Sequence, residues 1–141
     1  MVNRHGADAV RRGHPWIFRS AMGQVSSARH PADARIVTIV AETGDAIGCG
    51  VYDPDSPIAL RVWGVGAESR LDSSVFSQRL VRALALRQEL FADGSTTAYR
   101  LLNGEGDRTP GFVLDRYGDV AVLRIDGEAA RAVSPDRKSV V

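Results

Sequence analysis

The residues best suited to chemistry lie in the segment YRLLNGEGDRTPGFVLDRYGD, residues 99–119. Asn103, Glu105 and Asp107 alternate there with other small or polar residues, and two further aspartates follow. Carboxylate and amide oxygens at this density can hold a cation or a polar ligand, but their spacing does not match the alternating ligands of a calcium loop. Turn geometry accounts for the glycines, asparagine and proline. Turn chemistry is therefore the favoured interpretation, and a ligand or metal site is the alternative.

A second candidate site lies near the N-terminus, where the chain is basic. Residues 1–35 contain six arginines and two aspartates, a net charge of +4 with histidine neutral, whereas the whole chain carries +1. Arginine makes bidentate contacts with phosphate, and an aromatic ring can stack on an unpaired base. The predicted RNA-binding residues are Arg11, Arg12, His14, Trp16 and Arg19. The alternatives are a solvated basic face and, for the aromatic residues, a place in the core.

Sequence motifs of common catalytic sites are absent. The chain has no GxGxxG motif after a strand, no phosphate-binding GxxxxGK[ST], and no HExxH, CxxC or GxSxG. The single cysteine, Cys49, lies between two glycines in a strand candidate, which favours a small buried hydrophobe over a nucleophile. One cysteine also fits a reducing cytoplasm, and no apolar run is long enough to cross a bilayer. We therefore expect no catalytic residue, no metal site and no membrane association.

The elements that must position the basic cluster are mostly strands. Three segments rich in Val and Ile are strand candidates: ARIVTIV, AIGCGVY and IALRVWGV. They are separated by short segments whose residues favour turns. A short helix precedes them and is broken at Gly13. In the second strand Gly48 and Gly50 lie on one face, which predicts close backbone approach or a sharp bend, as in a small barrel.

The acidic loop follows the clearest helix of the chain, LDSSVFSQRLVRALALRQELFADG. Asp72 or Ser73 can cap its start, and Gly94 is a plausible stop. Three strand candidates come next, the last two joined by the two-residue turn Gly118-Asp119. The segment GEAARAV, which follows these strand candidates, predicts the first turns of another helix.

Three segments in this order, RRGHPWIF, GDAIGCGVYDPDSPIALRVW and RLLNGEGDRTPGFVLDRYGD, carry a family resemblance. Together they resemble the class I large-subunit rRNA cytosine-5 methyltransferases that use S-adenosyl-L-methionine (SAM). In that family an RNA-binding PUA domain precedes a strand-strand-helix-strand-strand module and a Rossmann-like methyltransferase domain. The resemblance implies an α+β chain: a small PUA-like β-barrel over residues 1–66, a linker helix over 67–97, and the first β-hairpin of a truncated central module over 98–135.

The resemblance also implies a division of function. In the complete family member a cysteine adds to cytosine C6 and SAM supplies the methyl group, but the catalytic cysteine and the cofactor glycines belong to the third domain. We therefore expect this chain to bind RNA, in particular large-subunit rRNA, without catalysis and without binding a cofactor itself. In the complete enzyme Asn103, Glu105 and Asp107 would face the catalytic cleft. The alternative is a natural stand-alone PUA-type RNA-binding or adaptor protein.

The last residues differ in character from the rest. The ending DRKSVV reads like one frame of a sequencing adapter and contains Lys138, the only lysine. This predicts a non-native tail over residues 136–141 and an N-terminal fragment of a longer protein. A fragment would leave a strand edge uncovered in residues 112–125, and such edges promote self-association.

Overall fold

The computed structural model describes residues 1–23 and 35–134, so the predicted tail over 136–141 lies outside the described residues. Three α-helices and seven strands alternate along this part of the chain. In chain order they are α1 (Arg4–Arg11), β1 (Trp16–Phe18), β2 (Arg35–Val40), β3 (Ala46–Tyr52), β4 (Ile58–Val65), α2 (Ser73–Leu90), β5 (Ala98–Asn103), β6 (Phe112–Tyr117), β7 (Val120–Ile125) and α3 (Gly127–Val133). Short 3₁₀ helices occupy Arg19–Ala21 and Gly104–Asp107.

The first four strands form one antiparallel sheet in the order β1-β4-β3-β2. Val2 adds isolated bridges to Met22 and Ala41. Within the described residues β1 and β2 are the two edges and do not pair, so this sheet is open and the expected closed barrel is not confirmed. Helix α1 packs beside this sheet.

The glycines of β3 mark a close backbone approach, as predicted. A Cβ atom on Gly48 would lie 2.5 Å from the carbonyl oxygen of Gly64, and one on Gly50 would lie 2.5 Å from that of Arg61. Both distances are far below van der Waals contact. The pairing register of β3 with β4 shifts between Cys49 and Gly50, so these glycines allow β4 to bend against β3.

The two faces of this sheet bury different cores. Side chains of β4 point to both faces. Leu60 and Val62 belong to an apolar cluster with α1, and Trp63 belongs to a second cluster on the opposite face. That second cluster combines Cys49 with side chains from α2, from strands β5 and β6, and from α3. Cys49 is buried, as the sequence indicated. The first sheet thus forms the central layer, and the C-terminal elements pack on one of its faces.

Helix α2 begins at the predicted cap. The Asp72 carboxylate accepts hydrogen bonds from the backbone N–H groups of Ser74 at 2.9 Å and Val75 at 3.0 Å. The buried face of the helix is short: Phe76 and Leu80 pack towards the second cluster around Ala83. Beyond that turn Leu86 and Leu90 are exposed, and the C-terminal end of α2 is anchored by the ring of its C-cap residue Phe91, which packs on Tyr99 with ring centres 4.2 Å apart.

The second sheet is antiparallel and has the order β5-β6-β7. Gly118 adopts φ +61° in the tight β6–β7 turn, which confirms the glycine-first turn expected from the sequence. Helix α3 follows β7 and returns to the first sheet, where Ala129 and Ala130 are fully covered. The observed fold is therefore a mixed one, with two sheets and three helices in the described residues.

Candidate nucleic-acid interface

The predicted basic residues begin at the C-terminal end of α1. Gly13 has φ +80° and turns the chain away from the helix, while the N–H of His14 donates to the carbonyl of Ala9 at 2.9 Å. Arg11, Arg12 and His14 all lie exposed around this turn. Arg11 is 3.6 Å from Asp8, but its side chain remains 50% exposed. A loose surface pair of this kind contributes little binding energy and leaves the guanidinium accessible.

Three of the predicted residues make hydrogen bonds within the chain. The Nδ1 atom of His14 lies 2.8 Å from the carbonyl oxygen of Trp16, which fixes the turn. The half-buried Trp16 donates its indole N–H to Glu105 Oε1 at 2.8 Å. Arg19 donates to the carbonyl oxygens of Asp53 at 2.8 Å and Ser56 at 2.7 Å. Trp16 and Arg19 therefore hold the β1 segment in place, whereas Arg11, Arg12 and His14 face solvent.

The Trp16–Glu105 hydrogen bond joins the two predicted site regions, which are 89 residues apart in the sequence. Arg61 completes this contact: its guanidinium donates to Glu105 Oε1 at 3.1 Å and lies 3.7 Å from Asp126. Its side chain is only 9% exposed, and its Nε has no hydrogen-bond partner among the described residues. We call Trp16, Arg61 and Glu105 the Arg61 cluster.

Asp53 links the loop after β3 to α3. One carboxylate oxygen accepts from the backbone N–H groups of Asp55 and Ser56 at 3.2 Å each, and the other accepts from Ala129 at 3.3 Å in the first turn of α3. Asp53 thus satisfies a helix N-terminus from a distant loop. Sequence reasoning missed both Asp53 and Arg61. A signal existed for Arg61, because it stands in the apolar strand IALRVWGV. It lies two residues before Trp63 and therefore on the same face of the strand as that buried ring, where a charged side chain requires a partner.

Of the remaining loop residues, Asp107 pairs with α2 and Asn103 pairs with β5. Arg87 forms a two-pronged ion pair with Asp107 at 2.8 and 2.7 Å, and both side chains are nearly buried. Asp107 also accepts from the backbone N–H of Asn103 at 2.6 Å. The Asn103 side chain accepts from Arg100 at 3.2 Å. The carboxylates of this loop are therefore engaged by arginines, and within residues 1–23 and 35–134 no cluster of three or more His, Cys, Asp or Glu side chains is arranged to hold a metal ion.

Arg79 links the loop to the first sheet. Its guanidinium donates to the backbone carbonyls of Arg108 and Trp63 and lies 5.4 Å from the centre of the Trp63 ring. Burial and the nearby positive charge of Arg108 lower the pKa of Arg79. Both carbonyl oxygens are neutral acceptors, so the positive charge of Arg79 has no carboxylate partner in the described part of the chain.

The N-terminal part of the chain matches a known class of domain. Residues 1–64 match the family of PUA-like domains. The chain therefore begins with a PUA-like domain, and the C-terminal elements from α2 onward pack against it.

Curated relatives extend the comparison beyond this domain. The chain is 37% identical over 117 residues to ribosomal RNA large subunit methyltransferase I of Alteromonas mediterranea, a match that covers 83% of this chain and 29% of the relative. It is 40% identical over 120 residues to a ribosomal RNA large subunit methyltransferase of Deinococcus radiodurans, covering 82% and 29%. The expected kinship with large-subunit rRNA methyltransferases is confirmed, and this chain corresponds to the N-terminal 29% or so of those relatives.

Solved structures show the same fold. A Streptococcus mutans protein provisionally described as a SAM-dependent methyltransferase superimposes with a TM-score of 0.73 at 17% identity, covering 93% of this chain and 35% of that protein. A second protein, also provisionally described as a methyltransferase and solved with S-adenosylhomocysteine, gives a TM-score of 0.75 at 19% identity, covering 93% and 33%. At these identities the likeness concerns the fold alone.

The described residues do not fit the SAM cofactor that the family implies. A nucleotide-type cofactor of a doubly wound domain lies at the carboxyl edge of a parallel sheet, against a glycine-rich strand-to-helix turn. Both sheets here are antiparallel.

No helix in the described part of the chain is long and apolar enough to span a membrane.

Proposed function

We propose that this chain is the RNA-binding N-terminal part of a SAM-dependent methyltransferase that forms 5-methylcytosine in large-subunit rRNA. The observation that carries the proposal is the match of 83% of the chain to ribosomal RNA large subunit methyltransferase I of Alteromonas mediterranea, with a PUA-like domain over residues 1–64. In this proposal methyl transfer and SAM binding belong to the parts of the family protein beyond the matched segment, and the protein works in the cytoplasm.

The RNA-binding surface that we propose is centred on the turn after α1. Arg11, Arg12 and His14 are exposed there, and the hydrogen bonds of Trp16 and Arg19 hold the adjoining β1 segment in place. A guanidinium that is exposed and only weakly paired can neutralise a phosphate and release its counterion. The predicted cleft-facing role of Asn103, Glu105 and Asp107 remains a proposal; their contacts with arginines favour a part in shaping that loop.

Fluorescence anisotropy with a single-stranded fragment of large-subunit rRNA tests this surface. The unmodified chain should bind more weakly as salt rises. The double variant Arg11→Ala with Arg12→Ala should bind more weakly and reduce the slope of log affinity against log salt by about 1.4, since each phosphate contact on a single strand contributes about 0.7.

The matched control is the double variant Arg124→Ala with Arg131→Ala. Both of these arginines are exposed, on β7 and α3, so the change in net charge is the same. We expect a smaller loss of affinity than for the Arg11 and Arg12 variant. An affinity that does not change with salt, or an equal loss in both double variants, would contradict the proposed surface.

A further inference from the structure

A groove lies where the first sheet, α2 and the acidic loop meet. Its volume is about 530 Å³, within the range of pockets that hold a ligand of nucleotide size. Residues from all three elements line it, including Trp63 on β4, Arg79 on α2 and Arg108 after the loop. The groove also includes Gly13 and Pro15, the neighbours of His14, so it opens next to the proposed RNA-binding turn.

The charge of this groove is predominantly positive. Three arginines line it, Arg70, Arg79 and Arg108, against one carboxylate, Glu105. Glu105 is already bound by Arg61 and Trp16. None of the three arginines lies within salt-bridge distance of a carboxylate in the described residues, although Arg70 is close enough to contribute to the lowered pKa of Asp72. Like charges gathered without partners repel one another, and an anionic ligand would relieve this repulsion.

The Arg79 side chain is held in place before any ligand arrives, and Arg108 has an unusual backbone conformation. Arg79 is fixed by two carbonyl oxygens and by the ring of Trp63. Arg108 has φ +60° and is the only non-glycine residue with a positive φ among the described residues. A non-glycine residue pays a conformational cost in this region, and such strain is concentrated at functional sites. Glycine would fit the backbone better, so an arginine here suggests a use for its side chain.

We propose that this groove binds the phosphate backbone of single-stranded RNA, as a continuation of the surface formed by Arg11, Arg12 and His14. This inference rests on the proposed function, because it assumes that the chain binds RNA. The RNA strand would run past His14 and between β4 and the acidic loop. Its successive phosphates would there contact Arg70, Arg79 and Arg108.

Two groove variants of the full chain test the inference, with a fluorescent oligouridylate as the probe. Arg108→Gly removes the charge and also the strained conformation. It should raise or preserve the melting temperature while lowering RNA affinity about threefold or more, and it should reduce the salt slope by about 0.7. Arg70→Gln should lower the affinity in the same way without a change in backbone strain. Arg124→Gln, an exposed arginine that does not line the groove, is the matched control and should have a smaller effect.

The outcomes separate the two proposals. If Arg108→Gly and Arg70→Gln bind the probe as the unmodified chain does while the Arg11 and Arg12 double variant binds weakly, the groove inference is wrong and the proposed function stands. If the unmodified chain binds neither the probe nor the rRNA fragment at low salt, the proposed function fails and the groove inference fails with it. A loss in the groove variants equal to that in Arg124→Gln would show a general charge effect and would also overturn the groove inference.

Discussion

At the scale of single residues, Arg61 connects the PUA-like domain to the elements that follow it. Its charge is almost completely removed from water, so its partners must offset a large desolvation penalty. Glu105 is 27% exposed and Asp126 is 69% exposed, so Glu105 at 3.1 Å supplies most of this compensation. Trp16 donates to the same oxygen of Glu105 and restricts its position. Glu105 therefore fastens its loop to the first sheet, in addition to the link that Arg79 makes between Arg108 and Trp63.

Replacing Glu105 by glutamine tests this role. Glu105→Gln keeps the size and an oxygen acceptor but leaves Arg61 without its nearest negative charge. We expect a loss of about 2 kcal/mol in the free energy of unfolding, measured by urea denaturation. Glu128→Gln is the control, because its pair with Arg131 is exposed on both sides and should be worth about 0.5 kcal/mol or less. Equal losses in the two variants would contradict the importance of the buried contact.

At the scale of elements, helix α2 depends strongly on how it begins. Hydrogen bonds from the Ser74 side chain and from the Val75 and Ser74 backbone lower the pKa of Asp72 below its ordinary value of 3.8. A folded-state pKa below the unfolded value means that the carboxylate stabilises the fold fully above 3.8, and that this stabilisation is lost as the pH falls through the folded-state pKa. A hydrogen bond from Arg100 lowers the pKa of Asp115 and acts in the same direction.

The variant Asp72→Asn separates capping from charge. The amide oxygen of asparagine still accepts from the first turn of α2, so the melting temperature at about pH 7 should change little. On acidification to about pH 3 the variant should lose less stability than the unmodified chain, because its cap does not titrate. Circular dichroism at both pH values measures this difference. Asp119→Asn, in the exposed β6–β7 turn, is the control, and an acid response as small as that of Asp72→Asn would contradict the argument.

At the scale of the whole molecule, β7 is the least protected strand. It is the edge of its sheet, and Val120, Val122 and Leu123 are 61%, 50% and 53% exposed. Val122 and Leu123 are neighbours and point to opposite faces, so both faces of the strand are exposed there, whereas Ile125 at its end packs against the second cluster. An apolar edge strand offers both free backbone groups and apolar surface to another chain. The expected self-association therefore remains a prediction, with β7 as its site.

Sedimentation velocity over a range of protein concentrations tests this prediction. The unmodified chain should associate as concentration rises, and Val122→Lys should shift the midpoint of association to a concentration about tenfold higher, because a lysine on an edge strand opposes pairing. Val81→Lys, on the exposed face of α2, is the matched control and should associate as the unmodified chain does. A monomer at all concentrations would exclude the edge as a contact. Dispersal by Val81→Lys but not by Val122→Lys would assign the contact to α2.

The sequence by itself determined the features that depend on neighbouring residues. Asp72 predicts the start of α2, Gly118 predicts the β6–β7 turn, and the spacing of Gly48 and Gly50 predicts the close approach of β3 and β4, because caps, turns and steric fit are local. The PUA-like resemblance was likewise readable from three segments.

Only the tertiary structure decided which distant groups meet. The basic cluster of the N-terminus was read as one surface, but the fold leaves Arg11 and Arg12 in solvent and engages Trp16 with Glu105 and Arg19 with carbonyl oxygens. Among the residues that the structure describes, the four-stranded sheet is open, although the same strand pattern is compatible with a barrel. The physical reason is that a sequence specifies which side chains carry charge, whereas burial and the pairing of charges depend on how remote strands and helices pack.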